Sequence, residues 1–251
     1  MPARARYQRV VVKLSGESFS AGGSPPGPAG PGPACVGPDA LERLVAELRP
    51  LPEAGVQTGI VVGAGNIVRG RALRDAPIAR TTADAMGMVA TVINALALRD
   101  ALAATGLPAR VFSARTVESV CEAFTRADAL AELDAGRIAL FAGGTGHPFF
   151  TTDTAAALRA AELEADLLIK ATQVDGVFET DPLQVPDARR YERLSFARAL
   201  AEEVGVMDLS AIALCRDNNI PIRVVQLFKD GSLARAARGE DVGTLVAAEG
   251  T

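Results

Sequence analysis

The chain has 251 residues, 49% of them apolar and 22% charged, with a net charge of −4. That is chain enough for a substantial α/β core, and mild acidity without any arginine stripe leaves no electrostatic footprint for nucleic acid. The lone histidine, His147, excludes a histidine-based triad or a multi-histidine metal site, while Cys35, Cys121 and Cys215 lack ligand spacing and read as reduced thiols.

The first residues lead straight into a strand without a signal-like apolar region, and no run reaches the ~18 consecutive apolar residues that a bilayer crossing takes. A cytoplasmic protein that does not bind membranes is therefore expected. Residues 7–14 form a valine-rich strand, nearly continuous in its hydrophobicity as buried parallel strands are. Between 22 and 38, 12 of 17 residues are glycine or proline, which reads as a flexible loop, either an active-site lid or a surface insertion. Asp39-x-x-Glu42 resembles a capping box ahead of a helix whose Leu41, Leu44, Val45 and Leu48 share one face. That helix is expected to stop by Pro50 or Pro52.

Residues 56–62 form a second strand running into Gly63-Ala64-Gly65-Asn66. A long helix follows over 81–102, with Met86, Val89, Ile93, Leu96 and Ala97 expected on its buried face. A short strand is predicted over 109–113, mostly helix over 117–133, and a strand over 137–142 that ends at Gly143-Gly144. A helix over 152–164 precedes a strand over 166–171. Beyond the Asp181-Pro182 turn come helices over 195–204 and 210–217 and a strand over 222–227. Alternation of strand and helix with short links predicts a mainly parallel sheet covered on both faces, in a single domain spanning 1–251.

Only three of the 26 basic residues are lysine: Lys13, Lys170 and Lys229. Lysine supplies a compact, mobile point charge that the planar guanidinium does not imitate. Lys13 and Lys170 each end a hydrophobic strand, where open α/β sheets bind ligands; Lys229 lies in an expected surface turn. Glycine-bearing turns follow four strands, at Ser15-Gly16, 63–65, 143–146 and Asp175-Gly176. Such turns let backbone N–H groups approach phosphate oxygens. Neither a Walker nor a Rossmann glycine run is present, so two phosphate-bearing ligands on another kind of cradle are expected. Phosphoryl transfer needs charge and alignment more than covalent chemistry, and Lys13, Lys170 and Arg69 can supply the charge. Asp84, Asp153, Asp175, Asp181 and Asp208 can orient lysines, hold sugar hydroxyls or bind hydrated Mg²⁺, or each can cap a helix or turn.

Lys13-Leu-Ser-Gly-Glu17, Gly63-Ala-Gly-Asn-Ile-Val-Arg-Gly70, Asp84-Ala-Met-Gly-Met88 and Gly144-Thr-Gly-His-Pro-Phe-Phe-Thr-Thr-Asp153 together resemble the bacterial UMP kinases of the amino-acid-kinase superfamily. Lys170-Ala-Thr-Gln-Val-Asp-Gly-Val-Phe178, Asp181-Pro182, Val206-Met-Asp-Leu209 and Gly243-Thr-Leu-Val246 extend the resemblance, in order, from about residue 9 to 246. It implies a three-layer αβα fold, a cytoplasmic homohexamer, and Mg²⁺-dependent transfer of the ATP γ-phosphoryl to UMP in pyrimidine nucleotide biosynthesis. Lys13, Lys170, Asp153 and Asp208 would be catalytic. Lys13, Leu14, Ser15, Gly16, Gly65, Arg69, Thr172, Phe178 and Asp181 would bind ATP. Ala64, Asp84, Thr145, Gly146, His147, Pro148, Phe149, Phe150, Thr151 and Thr152 would bind UMP, without direct protein ligation of the metal. Arg99, Asp100, Arg110 and Arg137 resemble an effector region for GTP and UTP. The chain departs from the family pattern at Ala64 and Ala83, where glycine is usual, and at His147, where asparagine is usual. His147 can contact uracil or point to solvent. The rivals are a superfamily kinase with an acyl or carbamoyl acceptor, and a nucleotide-binding assembly without turnover.

Overall fold

The computed structural model describes residues 5–20, 35–68, 77–180, 184–185, 187–205, 207–229 and 231–249. The expected loop at 22–38 lies largely outside them. Eleven strands and eight α-helices alternate along the described chain. In order they are β1 (Arg9–Leu14), a 3-10 turn (Gly16–Phe19), α1 (Pro38–Leu48), α2 (Pro50–Glu53), β2 (Gln57–Val62), α3 (Arg80–Ala103) and β3 (Ala109–Ser113). Then come β4 (Glu122–Ala123), α4 (Arg126–Asp134), β5 (Ile138–Ala142), α5 (Thr152–Glu162) and β6 (Leu167–Thr172). The rest is β7 (Val177–Phe178), β8 (Arg190–Tyr191), β9 (Arg193–Ser195), α6 (Phe196–Ala201), α7 (Leu209–Asp217), β10 (Ile222–Gln226), α8 (Ser232–Ala237) and β11 (Thr244–Ala247).

Nine strands form one sheet in the order β4-β3-β5-β2-β1-β6-β10-β11-β9, while β7 and β8 make a separate hairpin. All neighbours in the large sheet run parallel except β10 and β11. After β2 the chain builds outward on one side of β1, and with β6 it resumes on the other. The crevice beside β1 and β6 is therefore the topological switch point, where such sheets hold ligands.

Strand alternation divides the core into two layers. Val10, Val12 and Leu14 face one cluster with Leu44, Leu48 and Leu98, and Val11 faces the other with Ala156, Ala160 and Ile212. Each fully buried valine, leucine or isoleucine among them contributes roughly 1.5–3 kcal/mol by leaving water. The same period-2 rule sends Lys13 to the face of Val11, and Lys170 to the face of Leu168, which is the layer that contains α5.

Several local expectations are corrected. Helix α1 starts at Pro38, with Gly37 as N-cap and no side-chain cap, so Asp39 and Glu42 form no capping box. As expected, α1 ends before Pro50, at Leu48, and Pro50 opens the separate α2, the position where its missing N–H costs nothing. Residues 117–121 make an isolated bridge and β4 follows, so helix is confined to α4. The buried stripe of α3 carries Ala83, Ala90, Val92, Ala95, Leu98 and Leu102, whereas Met86, Val89 and Ile93 are exposed. Small residues let the helix approach the sheet closely, leaving the larger apolar groups outside. By length and hydropathy α3 could cross a bilayer, but its inner stripe is packed against the sheet.

Candidate active site

Lys13 of β1 and Lys170 of β6 are register partners on adjacent parallel strands. Two like charges on neighbouring strands repel each other unless an opposite charge intervenes. Asp153 stands between them: one carboxylate oxygen lies 3.0 Å from Lys13 Nζ and the other 2.8 Å from Lys170 Nζ. All three side chains are largely enclosed, at 11%, 18% and 12% exposure. Burial pushes the Asp153 carboxyl up, but the Lys13 and Lys170 ammonium groups outweigh it and hold the group below its ordinary value. Asp153 thus bridges both ammonium groups and holds them at the switch point.

Asp153 is not the helix cap that its position also allowed. Thr151 caps α5, its hydroxyl accepting from Asp153 N at 3.0 Å, and this turn aims Asp153 at the lysines. Asp208 is at the N-cap position of α7 without capping it. Its Oδ2 accepts instead from the Thr151 hydroxyl, and from Thr154 Oγ1 at 3.1 Å. It thereby ties α7 to the start of α5, one turn from the lysine centre.

On the other side of the lysines, the turn after β1 meets the turn after β2. A Cβ on Gly16 would lie 2.2 Å from Gly65 N and 2.7 Å from the Ala64 carbonyl carbon, so no side chain fits there. Ala64 itself is accommodated, 7% exposed, with its carbonyl accepting from Ile67 N and Val68 N. Gly143 takes φ +77, where a Cβ would also meet Ser113 and Ala114, so only glycine suits this strand end.

A cleft of about 220 Å³ opens beside this junction, lined by Ala64, Gly65, Asp84, Met88, Gly144, His147, Phe150, Thr151 and Thr152 among others. Asp84 accepts from Phe149 N at 2.8 Å and pairs with Arg80 at 3.1 Å, while the Arg80 guanidinium sits 5.5 Å from the Phe149 ring. Thr145 Oγ1 closes the loop, accepting from His147 N and donating to the His147 carbonyl. His147 lines the cleft with its side chain exposed. Phe149 and Phe150 are exposed at 63% and 53%, apolar surface for a flat ring to cover.

Across the lysines from this cleft lie the turn after β6 and the β7–β8 hairpin. Thr172 Oγ1 accepts from Val174 N at 3.0 Å, and Asp175 accepts from Lys229 Nζ at 2.8 Å and from Arg190 at 3.4 Å. Lys229 lies in an exposed turn, as expected, and there pairs with the loop that leads to Phe178. Arg69 and Asp181 lie outside the described residues. Sequence reading missed Arg80 and Thr154, and quoted Thr244 only within a motif, without a role. Arg80 was legible as a partner four residues before Asp84 on a helix. Thr244 accepts from Val177 N at 2.9 Å, a partner 67 residues away that its motif does not report.

The four residues of the expected effector region fall together near β3 to β5. Arg110 bonds Glu122 at 2.6 Å and Glu132 at 2.9 Å, Arg137 bonds Glu132 at 2.7 Å, and Arg99 bonds Asp100 at 2.8 Å. The Arg137 hydrogen bond, against the opposing effect of burial and aided by Arg110, holds Glu132 down to about 2. Arg99, Arg110 and Glu122 line a shallow pocket of about 320 Å³.

Residues 8–226 match the model of the amino acid kinase family. The chain is 48% identical over 240 residues to the uridylate kinase of Methylococcus capsulatus, covering 96% of this chain and 97% of that one. Among solved structures it is similar to the UMP kinase of Bacillus anthracis, with a TM-score of 0.89, 35% identity and 97% of each chain covered. The UMP kinase of Ureaplasma parvum gives 0.86 and 32% identity, covering 96% of this chain and 99% of the other.

Proposed function

The chain belongs to the amino acid kinase family, and from that premise and the site geometry we infer how it works. It is a kinase that phosphorylates UMP. ATP is the donor, and a phosphate oxygen of UMP attacks its γ-phosphorus in line as the bond to the β-phosphate oxygen breaks, giving UDP and ADP. No protein nucleophile takes part. Lys13 and Lys170 hold the charge on the moving group and the Gly16 and Gly65 turns cradle the phosphates, with the N-terminus of α5 adding a favourable dipole. Asp153 keeps both lysines charged and aimed. Asp84 accepts from the ribose of UMP, displacing Arg80, while residues 145–152 enclose the uracil. Leu14 and Ser15 continue the ATP side, Thr172 and Phe178 frame its base, and Arg69 and Asp181 complete it. Mg²⁺ arriving with ATP neutralises phosphate charge; the oxygen-rich Asp208–Thr151–Thr154 cluster suits the waters around such an ion better than direct ligation. The in-register lysine pair closed by one carboxylate carries this reading, since a purely structural protein gains nothing from placing like charges side by side.

A coupled assay with ATP against UMP, CMP and dTMP tests the acceptor. CMP is expected to fall at least ~10-fold below UMP in kcat/KM, because a pocket built on one hydrogen-bond pattern leaves groups unpaired with the wrong base. Equal efficiency on the two would refute the acceptor site, and acetylglutamate or carbamate turnover in place of UMP would favour the rival acceptor class.

The working form is a homohexamer in the cytoplasm, serving pyrimidine nucleotide biosynthesis as one domain over 1–251. The exposed Met86, Val89 and Ile93, spaced along one face of α3, support burial against a second copy. GTP as activator and UTP as inhibitor act through Arg99, Asp100, Arg110 and Arg137. Their phosphates then compete with the carboxylates that now engage those arginines. A GTP titration at subsaturating UMP is expected to raise UDP production, and a flat response would remove the effector site.

A further inference from the structure

Two buried polar residues of α3 are unaccounted for by substrate contact. Thr91 is 2% exposed and Asn94 fully buried, one helical turn apart on the inner stripe. Thr91 Oγ1 accepts from Gly143 N at 2.7 Å and donates to the Met88 carbonyl at 2.6 Å. Asn94 Nδ2 donates to the Gly63 carbonyl at 2.7 Å and to Asn66 Oδ1 at 2.9 Å, and Asn94 Oδ1 accepts from Asn66 Nδ2 at 3.1 Å. One helix therefore grips both glycine turns at the ends of the neighbouring strands β2 and β5. The first turn abuts Gly16, where a Cβ on Gly63 would come within 2.9 Å of Gly16 N. The second opens the loop over the nucleobase side of the cleft. The same helix carries Asp84 at the cleft wall.

Resting on the phosphoryl-transfer reading above, we propose that Thr91 and Asn94 are positioning residues that fix the separation between the phosphate turns and the acceptor loop. Thr91 lines the cleft, but its hydroxyl hydrogen is committed to Met88 and its oxygen to Gly143, so it acts through Gly143. Buried hydrogen bonds to backbone are suited to this role, because losing one partner strands the other without water. In-line transfer is correspondingly sensitive, and a misplacement of ~1 Å costs on the order of 10²-fold.

The test compares Thr91→Val, which keeps the shape and loses the hydroxyl, with Thr91→Ser, which keeps the hydroxyl. In the full-length enzyme with ATP and UMP, Thr91→Val is expected to lose at least ~10-fold in kcat/KM for UMP. Thr91→Ser should stay within about threefold of wild type, because its hydroxyl can make the same bonds. Hydrogen exchange over residues 143–147 should accelerate in the valine variant and not in the serine variant. A valine variant with wild-type kinetic constants and only a lowered Tm overturns the proposal, as does a serine variant as impaired as valine. Should the wild type make no UDP, the acceptor reading fails separately. The exchange comparison then decides alone: unchanged protection in the valine variant overturns the grip on Gly143, and selective loss upholds it.

Discussion

Asp153→Asn is expected to lower UDP formation by at least ~10²-fold and to destabilise the fold. The substitution is nearly isosteric, so packing around α5 is kept while the carboxylate that pairs with both Lys13 and Lys170 is removed. Two enclosed ammonium groups then lose the charge that bridges them. Breaking a buried ionic cluster by deleting one partner costs about 3–5 kcal/mol, an amount the lysines can reduce by losing a proton or swinging outward. Either escape removes the charge or the aim that phosphoryl transfer needs. Because the folded-state pKa of Asp153 lies below the ordinary 3.8, its stabilising contribution is fully present above that ordinary value. It is lost as pH falls through the depressed folded value. The stability gap between wild type and Asp153→Asn, measured by denaturant titration, should thus close in strong acid, where Asp153 is protonated in the wild type. Added ATP or inorganic phosphate should restore part of the variant's Tm by supplying the missing negative charge. A variant with wild-type turnover would contradict the role given to Asp153.

The main features of this site were legible because they depend on short-range rules. Hydrophobic runs ending in Lys13 and Lys170 identified two buried strands, and parallel strands with lysine at the same end can bring those lysines together. Strand alternation then puts both on the face that α5 covers. The motif from Gly144 to Asp153 likewise placed a loop and helix start beside the strand ends.

What the sequence hid was decided at longer range. On α3 nearly every turn carries apolar residues on more than one side, so periodicity alone does not tell the sheet-facing stripe from the outer one. The small side chains of Ala83, Ala90 and Ala95 decided it by allowing close packing. Residues 117–121 read as helix by composition, yet pairing beside β3 prevailed. Strand β11 was quoted only as a motif, because four residues give little periodicity and its partner β10 is twenty residues away. The bonds of Asp208 to Thr151 and Thr154 span more than fifty positions, and no local pattern reports them. The partner of Lys229 was hidden for the same reason, since Asp175 is 54 residues distant.

The second large effect is expected at Lys13, where charge can be kept while shape is changed. Lys13 is 11% exposed and held 3.0 Å from Asp153, in the angle between the Gly16 turn and the start of α5. The longer, planar guanidinium of arginine has to displace Asp153 or push into backbone that already excludes a Cβ at Gly16. A misaligned cation no longer follows the phosphoryl group from donor to acceptor oxygen, so alignment and electrostatic stabilisation fall together. Lys229→Arg serves as the control, because it keeps charge at a 45%-exposed pair with Asp175, and exposed pairs contribute only about 0–1 kcal/mol. The decisive measurement is the initial rate of UDP formation from ATP and UMP at saturation for wild type, Lys13→Arg and Lys229→Arg. Circular dichroism and size-exclusion chromatography establish that all three are folded and equally assembled. The expected result is a loss of at least ~10²-fold for Lys13→Arg and a change of no more than a few-fold for Lys229→Arg. Near wild-type turnover in folded Lys13→Arg would contradict the assignment of the Lys13–Asp153–Lys170 centre as the site that moves the phosphoryl group.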